Sequence, residues 1–169
     1  MLFRSLNAAQ IIDQINILNK DYNGLNADTA LIPNVFKPVQ GKFQINFCLA
    51  VVNPTGGILA EPGIDRINRN TSGWTAPPYS TTYVTNTIKP ASIWDPNLYF
   101  NIWVCSMSGG ILGYATFPNP GTSGLQGLSA PFGTSTTDGV VILNTAFGSI
   151  GTAVNNAPYH KGRTATHEI

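Results

Sequence analysis

The run NLYFNIWVCSM, Asn97 to Met107, constrains this chain more than any other stretch. Successive strand residues point to opposite faces, which puts Tyr99, Asn101, Trp103 and Cys105 on one side and Phe100, Ile102, Val104 and Ser106 on the other. Both sets are largely apolar, so the sequence predicts a central strand covered on both faces. A second run of this kind, DGVVILNTAFG from Asp138 to Gly148, opens on an Asp-Gly turn. Between them, GGILGYATFP reads as a short strand broken by Gly110 and Gly113 and closed by Pro118. Glycines so placed suit a sheet edge where another backbone approaches closely.

Upstream, Asn7 and Gln10 have the spacing of an N-cap and its capping-box partner, and Ile11, Ile12, Ile15, Leu18 and Tyr22 recur at helical steps. The helix should end near Asn23-Gly24, where glycine takes a left-handed conformation freely. FQINFCLAVV, Phe43 to Val52, has the length and composition of a buried strand. The stretch from Asn53 to Asp95 is rich in turns, with strand-like alternation only in IDRIN and YVTNT. At the far end, RTATHEI reads as a helix beginning near Thr164 or Thr166. The order is helix, strand, long loop, strand, edge strand, strand and helix start, a mixed α/β class.

Composition narrows the function. The chain has 169 residues, enough for one domain, and only 10% are charged, with a formal net charge of +1. Neither a basic nucleic-acid face nor an acidic tail is expected. INFCLAVV, the longest apolar run, falls far short of the ~20 residues that span a bilayer. Cys48 and Cys105 sit in apolar runs and are read as buried thiols, a single disulfide being left open. The glycine-rich stretches lack the Lys-Ser/Thr of a phosphate loop, and no GxSxG occurs. The carboxylates are scattered, and Asn70-Thr71-Ser72 is read as a polar turn. The histidines are His160 and His167. His160 is read as a surface loop residue. His167-Glu168 alone means little; on a starting helix it matches the opening of HExxH, in which histidines one turn apart hold zinc and the glutamate is the base.

Taken together, WDPNLYFNIWVCSMSGGILGYATFP (Trp94 to Pro118), DGVVILNTAFG and YHKGRTATHEI (Tyr159 to Ile169) closely resemble the catalytic domain of pappalysin-type metalloproteases of the metzincin clan. The upstream helix and INFCLA resemble that family too. The resemblance implies a metzincin upper subdomain: a twisted, mostly parallel sheet with an antiparallel edge strand and backing helices. It implies a secreted zinc endopeptidase acting on protein or peptide substrates, with His167 as a zinc ligand and Glu168 as the general base. Leu112, Gly113, Tyr114 and Ala115 would line the cleft as the substrate-binding edge, pairing with an extended peptide. Calcium is carried as a second candidate metal.

The family pattern continues as HExxHxxGxxH, and its later histidines, glycine and methionine turn are not in this sequence. Residues 1–169 are therefore expected to be a single partial catalytic domain, the N-terminal subdomain of a larger secreted protease, inactive and without useful zinc affinity by itself. MLFRSLNAAQ develops no secretory h-region. Only Met1 to Phe3 could belong to a strand before the first helix. A non-catalytic extracellular β-rich binding or adhesion module is the competing expectation.

Overall fold

The computed structural model describes residues 6–41, 43–117 and 131–169. Met1 to Phe3 and Pro118, assigned to strands above, lie outside them. Strands β1 (Ile102–Cys105), β2 (Gly113–Ala115) and β3 (Val140–Leu143) form a mixed sheet in the order β1-β3-β2. β1 runs parallel to β3 with Trp103 opposite Val141, and β2 runs antiparallel with Tyr114 opposite the same residue. The edge-strand expectation for β2 therefore holds. The strand expected at the centre does not sit there: among the described residues β1 has β3 as its only neighbour, and β3 is central. Apolar residues on both faces report cover by other layers, and an end strand can be covered too.

That cover is divided by the pleat. Trp103, Cys105, Val141 and Tyr114 face a cluster with Trp74, Tyr79, Val84 and Ile88. Val104, Val140, Ile142 and Ala115 face a second cluster with Ile11, Leu18, Phe147 and Ala165. The first layer is helical over residues 81–92, as α2 (Thr81–Tyr83), a π-helical stretch (Val84–Ile88) and α3 (Lys89–Ser92). Its start is capped by the Ser80 side chain, which accepts from the Tyr83 amide at 3.2 Å. YVTNT thus lies in a helix, contrary to its strand-like alternation, because Val84 and Ile88 at a four-residue step bury the same face.

The second layer holds α1 (Ala8–Tyr22) and α4 (Arg163–Glu168). Asn7 caps α1, its Oδ1 accepting from the Gln10 amide at 2.8 Å, and Gly24 follows the helix at φ 63°. Gln10 does not complete a capping box. Its side chain is buried and turns to a distant loop instead, donating to the Phe147 carbonyl at 2.7 Å and accepting from the Thr152 amide at 3.0 Å. The buried face of α1 accordingly carries Gln10, Ile11, Gln14 and Leu18, while Ile12 is 48% exposed.

FQINFCLAVV forms no strand apart from a bridge between Val52 and Ile58. Side-chain amides of α1 take the place of a neighbouring strand. Asn19 both accepts from the Phe47 amide, at 2.6 Å, and donates to its carbonyl, at 2.9 Å, and Asn23 donates to the Ile45 carbonyl at 2.9 Å. Cys48, expected inside a buried strand, is therefore exposed, whereas Cys105 is buried; both are free thiols.

Candidate active site

Helix α4 begins after Gly162, whose φ of 70° is the left-handed conformation that glycine adopts without strain. The expected threonine cap is not used, and no side chain caps this end. A helix of six residues has little intrinsic stability, so its orientation is imposed from outside. Ala165 is buried against the sheet. Successive helical positions rotate by about 100°, so Thr164, His167 and Glu168 share one flank of α4, with His167 turned furthest from the buried Ala165 and Glu168 nearest to it.

There they form one wall of a cleft of about 640 Å³, with Gly110, Ile111, Leu112 and Gly113 along the other side and Pro158, Tyr159 and Lys161 at its mouth. His167 is exposed and Glu168 half-buried. The walls approach closely: a Cβ placed on Gly113 would lie 3.1 Å from Glu168 Cγ and 3.0 Å from the Val141 carbonyl oxygen. Burial pushes the Glu168 carboxyl above its ordinary range, and the neighbouring His167 works against that shift.

Of the residues named from sequence, His167, Glu168, Leu112 and Gly113 meet at this cleft. Tyr114 and Ala115 do not turn their side chains to it. The Tyr114 hydroxyl lies 3.0 Å from Thr85 Oγ1 in the opposite layer, and burial pushes it up to about 12. Ala115 packs into the cluster beneath α1. The backbone of β2 is another matter. The Leu112 carbonyl and the Thr116 amide bond toward β3, so in an antiparallel ladder the intervening Gly113 and Ala115 direct their backbone groups to the other edge, where no strand lies among the described residues. His160 is half-buried rather than a surface residue, with its Nδ1 sealed from solvent and unpartnered.

Reading by motif missed Tyr159, Lys161 and Thr164, whose nearness to His167 in sequence was the available signal. It also missed the supports on α1. Gln14 accepts from the Gly148 amide at 2.6 Å and donates to the Gly162 carbonyl at 3.0 Å. Asp13 accepts from the Ser149 amide at 2.6 Å. Asp21 accepts from Thr166 Oγ1 at 2.7 Å and pairs with Arg163 Nε at 3.1 Å. Among the described residues no group of three His, Cys, Asp or Glu could hold a metal ion. No described helix is long and apolar enough to cross a membrane.

A mixed three-stranded sheet between helical layers, with a His-Glu helix facing an antiparallel edge strand, defines the upper subdomain of a metzincin metalloprotease, and the chain belongs to that class. Within it, the likeness is to mirolysin, of the pappalysin type, from Tannerella forsythia. Mature mirolysin in complex with a cleaved peptide is 32% identical, with a TM-score of 0.73 over 99% of this chain and 57% of that one. A promirolysin mutant is 34% identical at a TM-score of 0.76, over 99% of this chain and 50% of that one. Mirolysin with a bound compound is 36% identical at 0.76, over 97% and 55%. This chain thus spans about half the length of the structures it matches. No protein-family model and no curated protein matches it.

Proposed function

We propose that residues 1–169 form the upper cleft wall of a secreted zinc-dependent endopeptidase, as one partial domain of a longer catalytic unit. One observation carries this reading: His167 and Glu168 project from a short helix into a cleft whose opposite wall leads into an antiparallel strand with no neighbour on its outer edge among the described residues. The likeness to mirolysin solved with a cleaved peptide supports a peptide as the occupant. Extended peptide backbone would pair with Gly113 and Ala115 by β-augmentation. The absence of a side chain at Gly113 lets that backbone come close to Glu168.

Glu168 is the general base. A carboxyl held above its usual range by burial is a better proton acceptor near neutral pH. It takes a proton from the attacking water and returns it to the leaving amine. His167 would be one zinc ligand, and zinc when bound supplies Lewis-acid polarisation of the scissile carbonyl. A catalytic zinc takes three protein ligands. The described residues by themselves do not fit such a site, and the chain alone is proposed to be inactive.

The test is Glu168→Gln in the full-length gene product, with zinc measured by elemental analysis beside cleavage of a generic protein substrate. Cleavage should vanish while zinc stays, because the glutamate is not a ligand. Loss of zinc along with cleavage would refute the role given to Glu168. A wild-type product that neither binds zinc nor cleaves would favour the binding-module alternative.

A further inference from the structure

Helix α4 has six residues, no side-chain cap and two β-branched threonines, so within it only the small buried Ala165 bears on which way it faces. From α1, Gln14 and Asp21, seven positions apart and hence on one helix face, reach it, Gln14 just before its first residue and Asp21 across its first turn. Gln14 holds the Gly162 carbonyl at the start. Asp21 holds Thr166 Oγ1 and Arg163 Nε through a single oxygen, Oδ2. The Asp21 side chain is only 5% exposed. At about 100° per residue, Arg163 and Thr166 lie some 60° apart on the flank of α4, between the buried Ala165 and the cleft-facing His167. A bond to that flank therefore sets the helix's rotation about its own axis.

We propose that Asp21 is a positioning residue for the catalytic helix. By gripping Arg163 and Thr166 it locks the rotation of α4, and so the direction in which Glu168 meets the cleft. Its action is geometric: the carboxylate matters as an acceptor shaped to receive Thr166 Oγ1 and Arg163 Nε together. It touches no substrate. The inference rests on the endopeptidase reading for its kinetic consequences, and on the α1–α4 contacts alone for its structural ones.

The experiment compares wild type, Asp21→Ala, Asp21→Asn, Thr166→Val and the Asp21→Ala/Thr166→Val pair in the full-length product. Thr166→Val keeps the side-chain shape and loses only the hydroxyl, so it remains informative should Asp21→Ala fold poorly. Peptide-cleavage kinetics, bound zinc and hydrogen exchange of the α4 amides are read in each. Small misplacements of reacting groups cost on the order of 100-fold in rate, so Asp21→Ala should lower kcat by roughly 10- to 100-fold with KM little changed. Thr166→Val should lower it less, and the pair should be no worse than Asp21→Ala. Asp21→Asn, which still presents an acceptor oxygen to Thr166, should recover most of the loss. The α4 amides should exchange faster in Asp21→Ala while those of β3 do not.

Unchanged kcat and unchanged α4 exchange in Asp21→Ala would overturn the proposal. So would Asp21→Asn as impaired as Asp21→Ala, since the effect would then come from charge. Should wild type fail to cleave any peptide, the endopeptidase reading falls, and the exchange rates still decide the tether.

Discussion

On the face of the sheet covered by residues 81–92, one cation is sealed inside among the described residues. Lys89 is 0% exposed; its Nζ donates to the Thr137 carbonyl at 2.9 Å and the Gly139 carbonyl at 3.2 Å, and lies 4.9 Å from the Trp103 ring centre and 5.1 Å from that of Tyr114. On the opposite face α1 presents a row of neutral amides and carboxylates: Gln10, Asp13, Gln14 and Asp21. Lys89 points inward, to the start of β3 and the rings of Trp103 and Tyr114, and its removal should destabilise the core. The α1 row points past the sheet, to the 144–152 loops and α4, and part of its removal should move the cleft while the core stays folded. A polar group buried toward the centre acts on stability; one buried toward the rim acts on position.

The largest effect should come from Gly139, whose carbonyl receives Lys89. At φ 129°, an added Cβ would lie 2.4 Å from the Asn101 carbonyl oxygen, backbone that cannot give way. Gly139→Ala should therefore cost more than about 4 kcal/mol in denaturant melts. A loss below about 1 kcal/mol would mean that β1 and β3 can part more easily than their register implies.

Next comes Lys89 itself. Lys89→Ala leaves a cavity and takes a donor from the Thr137 and Gly139 carbonyls, and should cost about 3 kcal/mol. Lys89→Met fills the stem's space without burying a charge, and should cost clearly less. Equal losses would mean that the ammonium, not the stem, supplies the stability. On the other face, Gln14→Leu strands the Gly148 amide and takes a donor from the Gly162 carbonyl, at about 2 kcal/mol. Should it cost more than Lys89→Ala, the contrast between the faces is inverted.

The pH dependence sharpens the same contrast. Burial brings Lys89 down to about 8 from 10.5, with Asp138 opposing. Between those values the unfolded chain binds more protons than the native one, so stability rises with pH. The rise should be about 1 kcal/mol from pH 8 to 9. Burial raises Cys105 and Tyr114 to about 12, and their contributions are lost as pH climbs further, so the rise flattens. Lys89→Met should lack the rise altogether; its persistence in that variant would assign it to another group. The smallest effect belongs to Asp28, exposed and paired with Arg163 at 3.0 Å. Asp28→Ala should cost less than about 0.5 kcal/mol, against the larger kinetic loss expected from the buried Asp21 on the same arginine.

Much of the cleft was legible because its parts are local. The edge strand announces itself through Gly110 and Gly113, and the His-Glu helix through seven residues beginning at Arg163. Tyr114 was misread because alternation says that it opposes Gly113 and Ala115 in direction, without saying which direction is the cleft. FQINFCLAVV was misread for a related reason. Its apolar content suits a strand, but a strand needs a partner backbone, and Asn19 and Asn23 satisfy three of its backbone groups from a helix. Ile12 was assigned to the buried face of α1 by its period, whereas Gln10 and Gln14 take that face to reach backbone more than 130 residues away.

What the sequence determined by itself, then, was what short-range physics can express: the N-cap of α1, the strands β2 and β3, the glycine turns, and the His-Glu pair on a starting helix. Each depends on neighbours within a few positions, where spacing and stereochemistry leave little choice. Only the tertiary structure decided which polar residues are buried and what they hold. Lys89, Gln14 and Asp21 look like ordinary solvated side chains along the chain. Burial makes each of them an obligate hydrogen-bonding group, whose partners are chosen by the packing of layers and not by separation in sequence.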